Sequence, residues 1–266
     1  MKFFISTTSD IDYDPSGGCF DTYRSREIAE KYDCGLEIAD FCIADNLDGE
    51  RLQATHDRVK NKLIGFEECI LHAPFNEIYP SAIDPLAIRL ANFRLDQALE
   101  FAKNYNAKKM VVHSGFVPSV YFESWFLPQS VKFWRKFLDR HPENITLCVE
   151  NVMETSPELL FELAAEINDP RLRLTLDIGH AHRNSGIPVT AWIEKCAPYI
   201  SHFHIHNNEG LLDTHSPLPE GSIPMAEVME RISELCPDST VTLECLQPEV
   251  SAKWLMEAGY LKKTQI

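Results

Sequence analysis

Side chains able to hold a cation recur at one kind of place in this sequence, the polar end of a short apolar run. His72 closes Cys-Ile-Leu-His, His113 closes Met-Val-Val-His and Glu150 closes Leu-Cys-Val-Glu. Asp177 closes Leu-Thr-Leu-Asp with His180 three residues on, and Glu244 follows Val-Thr-Leu. A further run carries His202, His204 and His206, and the segment after it holds Asp213-Thr214-His215. A lone strand histidine is ordinarily a satisfied core residue. An ionised carboxylate in an apolar setting is harder to dismiss, because burying it without a partner is costly and it must pair or bind a cation. Glu150, Asp177 and Glu244 have no Lys or Arg beside them. Imidazole and carboxylate together are the ligand set of zinc, manganese or iron.

Spacing restricts the geometry. Strand side chains alternate, so His202, His204 and His206 share a face but climb in steps of about 6–7 Å. One of them ligates a given cation, and the sequence leaves open which. Asp177 and His180 straddle a strand end and its turn, which can aim them at adjacent ions. Asp213 and His215 form an i, i+2 pair on a loop.

The elements that must position these groups follow from periodicity. Strand-like runs lie at Lys2–Thr8, Gly35–Phe41, Cys69–Pro74, Lys109–Ser114, Ile145–Asn151, Leu172–Ile178, Ile200–His206 and Val241–Cys245, with amphipathic stretches between them. Helix starts are marked by Asp84-Pro85, Ser156-Pro157-Glu158 and Gln247-Pro248-Glu249. Near-continuous apolar strands alternating with helices imply a parallel sheet covered on both faces, and eight such units close most naturally into a barrel. The expected fold is α/β, a single (β/α)₈ TIM barrel over residues 1–266 with its active site at the C-terminal face. No Gly-x-Gly-x-x-Gly follows the first strand, which disfavours an open dinucleotide-binding sheet. The longer loops, 75–83, 115–128 and 207–224, fall on the catalytic side. From them and the seventh strand, Asn76, Tyr79, Trp125, His206 and Asn208 are the candidate substrate contacts.

The 266 residues carry a formal charge of −15. That balance lowers the odds of an extended DNA contact, which needs a basic face. The eight cysteines form no C-x-x-C pair and read as buried free thiols of a reducing compartment. The apolar runs are too short for a membrane span, and the opening Met1–Thr7 stretch is too short for a signal peptide, so the expected location is the cytoplasm. The partner is a small molecule, sugar- or phosphate-like; oligomeric state is not readable.

The segments His72-Ala73-Pro74, His113-Ser114-Gly115, Glu150-Asn151-Val152, Asp177-Ile178-Gly179-His180-Ala181, His204-Ile205-His206-Asn207-Asn208, Asp213-Thr214-His215 with Pro219-Glu220-Gly221, and Leu243-Glu244 together resemble the xylose isomerase-like TIM-barrel superfamily (AP endonuclease family 2), and most of all its endonuclease IV branch. The resemblance runs from the third strand to the eighth. It implies a centre of up to three divalent ions, zinc first, with manganese or iron as alternatives. His72, His113 and Glu150 would hold one ion. Glu150 would bridge to a second, shared with Asp177, His204 and Glu244, and His180, Asp213 and His215 would hold the third. The sugar isomerase and epimerase branch uses one ion on the positions of Glu150, Asp177, His204 and Glu244. The loops after the second and third strands, 44–50 and 75–83, contain no Lys or Arg, unlike a DNA-binding rim.

On ligand count, the leading expectation is hydrolysis of a phosphoester or related bond of a small substrate, with clustered cations polarising the bond. The alternative is isomerisation or epimerisation of a sugar or sugar phosphate, with Glu150 and Glu244 as acid and base. Abasic-site DNA cleavage and oxidation at clustered iron rank below both, as does a non-catalytic binding module.

Overall fold

The computed structural model describes residues 1–13, 19–21, 23–142 and 144–262. Eight parallel strands close a barrel: β1 Lys2–Ser6, β2 Gly35–Ile38, β3 Cys69–His72, β4 Lys109–His113, β5 Thr146–Glu150, β6 Leu172–Asp177, β7 Ile200–Ile205 and β8 Thr240–Leu243. Each pairs with its sequence neighbours, and β1 closes the ring by pairing with both β2 and β8. A short antiparallel hairpin, Ile11–Tyr13 with Cys19–Asp21, decorates the first loop. Helices α1 Arg24–Tyr32, α2 Gly49–Lys62, α3 Pro85–Asn104, α4 Glu123–Arg140, α5 Glu158–Ile167, α6 Ile178–Asn184, α7 Val189–Cys196, α8 Met225–Leu235 and α9 Pro248–Glu257 surround it. Among the described residues no helix is long and apolar enough to cross a membrane.

All eight runs read from the sequence are strands, each one to three residues shorter, mostly at its C-terminal end; the last begins one residue earlier, at Thr240. At most of those ends the pairing stops where a ligand-type side chain or a turn begins. The helix signals hold unevenly. Asp84 caps α3, its carboxylate accepting from the Leu86 N–H at 2.7 Å with Pro85 in the first turn. Ser156 does not cap α5: Pro157 takes the N-cap position in a helical conformation, so the serine lies one residue too early. Gln247 makes no side-chain cap above Pro248. The loop expected to run to Pro128 ends at Phe122, because α4 accepts that proline inside its body.

The barrel interior is layered, as such barrels require. Phe4, Ile70, Val111 and Cys148, two residues below the strand-end positions, form an apolar plug. Gly35 makes room for it: a Cβ there would lie 2.4 Å from the Phe4 ring. Above the plug sits a polar layer, with Glu37, Thr175, His202, His204 and Thr242 all fully buried. The main core lies outside the strands, against the helices. Cys34, Cys42, Cys69, Cys148, Cys196, Cys236 and Cys245 are buried free thiols; the side chain of Cys19 lies outside the described residues.

Candidate metal centre

Glu150, Asp177, His204 and Glu244 stand at the C-terminal ends of β5 to β8, and one donor atom from each lies within 4.8 Å of the others. His204 Nδ1 is the hub, 3.3 Å from Glu150 Oε1, 3.0 Å from Glu244 Oε2 and 3.9 Å from Asp177 Oδ2. Glu150 faces two ways. Its other oxygen, Oε2, lies 3.3 Å from His72 Nε2 and 3.5 Å from His113 Nε2. A second group gathers beside the first: His180 Nε2 and His215 Nε2 lie 3.1 and 3.2 Å from Asp213 Oδ2, and His206 joins them.

Four histidines are anchored through one ring nitrogen and present the other to these groups. His72 Nδ1 meets the Ala73 carbonyl at 2.9 Å, His180 Nδ1 the Asn151 carbonyl at 2.9 Å and His215 Nδ1 the Glu244 carbonyl at 2.6 Å. A carbonyl only accepts, so each Nδ1 carries a proton, and Nε2 is the atom that would offer its lone pair to a cation. His204 is reversed: its Nε2 donates to the Glu37 carboxylate at 2.9 Å, leaving Nδ1 for the hub. Outer partners of this kind orient metal-bound imidazoles. Both Glu150 oxygens and His204 Nδ1 are buried with no hydrogen-bond partner. Buried polar atoms without partners are rare and ask for an unplaced water or ion. A divalent cation fits this donor set.

Charge tells the same story. Burial would raise the Glu150 carboxyl, but His204 and His113 outweigh it and hold its pKa well below the usual carboxylate range. Burial likewise opposes charge on His204, yet Glu37, Glu244 and Glu150 around it push its pKa well above the ordinary value. His113, with less compensation for burial, is driven down to about 4.

Glu37 is the functional candidate missed at the sequence level. It is fully buried at the middle of β2 and takes bonds from His202 Nε2 at 3.0 Å, His204 Nε2 at 2.9 Å and Thr242 Oγ1 at 2.5 Å. His202 therefore serves the support, not the centre; its Nδ1 meets Thr240 Oγ1 at 2.6 Å, and Lys109 Nζ donates to the same oxygen at 2.9 Å. Exchanging Glu37 for Gln keeps the shape but removes an acceptor oxygen and a charge. Metal affinity, read by chelator competition, is expected to fall about 10–100-fold; wild-type affinity would dismiss Glu37 as a positioning residue.

The expected substrate contacts separate into two sets. Asn76 and Tyr79 line a side pocket of about 230 Å³ that shares Phe75, His113 and Val152 with the main cavity. Trp125, His206 and Asn208 do not line the main cavity. Trp125 donates to the Ser81 carbonyl from the outer surface. His206 is fully buried, its Nε2 3.1 Å from Asp177 Oδ1. Asn208 spends its amide on the Gly179 carbonyl and the Gly210 N–H, pinning the loop. The main cavity, about 490 Å³, opens over Glu150 and Glu244 and is walled by His72, His113, His180, Asp213 and His215.

Asp177 and Asn151 lock the centre's frame. Asn151 Nδ2 donates to the Asp177 carbonyl and Asn151 Oδ1 accepts from the Asp177 N–H, both at 2.8 Å. Gly179 is needed beside them, since a Cβ there would fall 1.9 Å from the His206 ring.

The profile described as Xylose isomerase-like TIM barrel matches residues 30–264. The chain belongs to that family. Among relatives of this xylose isomerase-like barrel, the uncharacterised protein MJ1311 of Methanocaldococcus jannaschii is 29% identical over 189 residues, 66% of this chain and 64% of that protein, so the alignment spans just under two thirds of it. Fructoselysine 3-epimerase of Escherichia coli O157:H7 is 28% identical over 120 residues, 43% of each chain. A solved D-tagatose 3-epimerase-like protein superposes with a TM-score of 0.77 at 23% identity, covering 97% of this chain and 96% of its own. IolI protein with a bound zinc atom gives 0.68 at 15% identity, covering 97% and 94%. At these identities the structural likenesses speak for the fold.

Proposed function

We propose that this xylose isomerase-like barrel epimerises or isomerises a sugar by moving a proton at carbon, with one divalent cation, zinc first, held by Glu150, Asp177, His204 and Glu244. The observation that carries this reading is the placement of two carboxylates on either side of His204 Nδ1, at 3.3 and 3.0 Å, on the floor of an open cavity. The bound cation would polarise a carbonyl and its neighbouring hydroxyl, acidifying the carbon between them. One glutamate takes the proton from that carbon, and the electron pair moves into the carbonyl. The other glutamate returns a proton from the opposite side, inverting the centre; or a proton goes to the former carbonyl carbon while the hydroxyl proton passes to the former carbonyl oxygen, moving the carbonyl. Glu37 holds the His204 ring in register throughout. Relatives whose names are sugar epimerases agree with this reading better than with hydrolysis, the leading expectation from ligand count.

A second reading is supported by one observation, the His180, His206, Asp213 and His215 group. Two or three cations side by side suit hydrolysis of a phosphoester. Incubating the metal-loaded protein with free ketoses in D₂O separates the two. Epimerisation or isomerisation predicts deuterium entering at a carbon next to the carbonyl, followed by NMR. Hydrolysis of a chromogenic phosphodiester with no exchange on any ketose would sink the sugar reading.

A further inference from the structure

The chain holds 25 Lys and Arg residues, yet almost none stand where a substrate would enter. The connections from β1 to α1, β2 to α2, β3 to α3, β4 to α4, β5 to α5, β7 to α8 and β8 to α9 contain no Lys or Arg at all. After β6 the chain passes straight into α6, whose one such residue, Arg183, is exposed in the last turn and bonds Asn184. These connections form the catalytic face of a barrel. Arg24, at the start of α1, is exposed, whereas other cations on the helices that reach toward this face are engaged with its acids. Lys62 bridges Asp10 and Asp40 at 2.9 and 3.0 Å, Arg58 bonds Asp40, and Arg94 pairs with Asp48 at 2.7 Å. Among the described residues no Lys or Arg lines the main cavity.

We infer that the substrate is an uncharged polyhydroxy carbonyl compound, and that the site rejects sugars bearing a phosphate or carboxylate. The inference rests on the single-cation reading above. Glu37, Glu150, Asp177, Asp213 and Glu244 surround the cavity floor. One doubly charged cation offsets two of those five negative charges, and the groups that face the rest are histidines, with no Lys or Arg among the described residues lining the cavity. Low-dielectric walls focus the field of such a cleft onto whatever enters it, and like charges facing one another there are strongly disfavoured. A phosphate ester, carrying close to two negative charges at neutral pH, would meet that field with no guanidinium or ammonium to receive it. Each further divalent ion would offset two more of those charges, so charge preference and metal count are linked.

The cavity walls suit the uncharged alternative. Phe75, Val152 and Leu246 offer apolar surface to the C–H face of a sugar, and the Phe75 ring is fixed by stacking on His113 at 4.4 Å. Thr8, Ser9 and Thr214 offer hydroxyls that donate or accept without imposing charge.

The test uses the full chain with its metal content measured. The D-2-ketohexoses and the same sugars as 6-phosphates are compared for deuterium uptake in D₂O and for thermal stabilisation. Uncharged members are expected to exchange, with kcat/KM at least about 100-fold above their phosphates. Leu246→Arg, which puts a guanidinium on the cavity wall, is expected to narrow that ratio about tenfold. Exchange on a 6-phosphate equal to or faster than on its parent sugar overturns the inference and leaves the epimerase reading standing. Stabilisation by the phosphates with no exchange on any sugar, in protein carrying more than one ion per chain, overturns both.

Discussion

Glu150→Gln is expected to stop carbon–hydrogen exchange and to release bound metal. The amide retains the shape but cannot take a proton, and general acid–base catalysis contributes about 10²–10⁴-fold. It also removes the carboxylate whose two oxygens face His204 and His180 on one side and His72 and His113 on the other. Glu244→Gln is expected to lower exchange similarly but to cost less metal, since among the histidines its closest oxygen contact is His204 alone, at 3.0 Å. Metal per chain and deuterium uptake on the same samples check both halves. Exchange within about tenfold of wild type in both variants, below the range of such effects, would remove the two glutamates from the reaction.

The second large effect separates one working cation from several. His180→Ala, Asp213→Asn and His215→Asn together dismantle the adjoining group while leaving Glu150, Asp177, His204 and Glu244 in place. Asn is chosen at 215 because that residue has φ of 45°, a left-handed conformation that Asn tolerates better than Ala. If epimerisation runs on a single cation, the four-residue site stays loaded and exchange survives within about tenfold, because the groups moving the proton are intact. If the protein is a multinuclear hydrolase, turnover on a phosphodiester falls by about 10²–10³ or more, as loss of one charge-stabilising element at a reacting centre does. The melting temperature falls in either case, since the His215 bond to the Glu244 carbonyl is lost. An exchange rate that collapses while metal at the four-residue site is retained would overturn the single-cation reading.

The barrel and most of the grouped donor residues were legible because the strands are apolar runs, several of which end on a polar residue or just before one. That pattern placed His72, His113, Glu150 and Asp177 at strand ends and Glu244 just past one. Choosing among His202 and His204 of β7 and His206 just past it was out of reach, since all share a face and differ only in what stands across the barrel. Glu37 bears on that choice, yet Leu-Glu-Ile reads as ordinary alternation in a strand, and its partner His204 lies 167 residues away. The rule that singled out Glu150, a carboxylate on an apolar strand with no cation beside it, applies equally to Glu37 and was the available signal. Asn208 and Trp125 lie away from the main cavity for another reason. Polar and aromatic residues on a catalytic loop look alike whether they face a ligand or satisfy backbone groups, and here their donors bond the Gly179 and Ser81 carbonyls.

The polar chain from His204 through Glu37, His202 and Thr240 to Lys109 has a consequence for how such a barrel can change over time. Barrels ordinarily keep chemistry at one rim and folding stability at the other, so loops can be exchanged without disturbing the scaffold. Here the imidazole at the rim is held by a carboxylate in the interior, which is held in turn by residues reaching toward the opposite rim. A loop graft that moved the upper ligands into a foreign barrel would leave that support behind. New activities on this scaffold are therefore most accessible through the loops that carry no ligand, such as those after β1 and β2, while β2, β7 and β8 are inherited as one block.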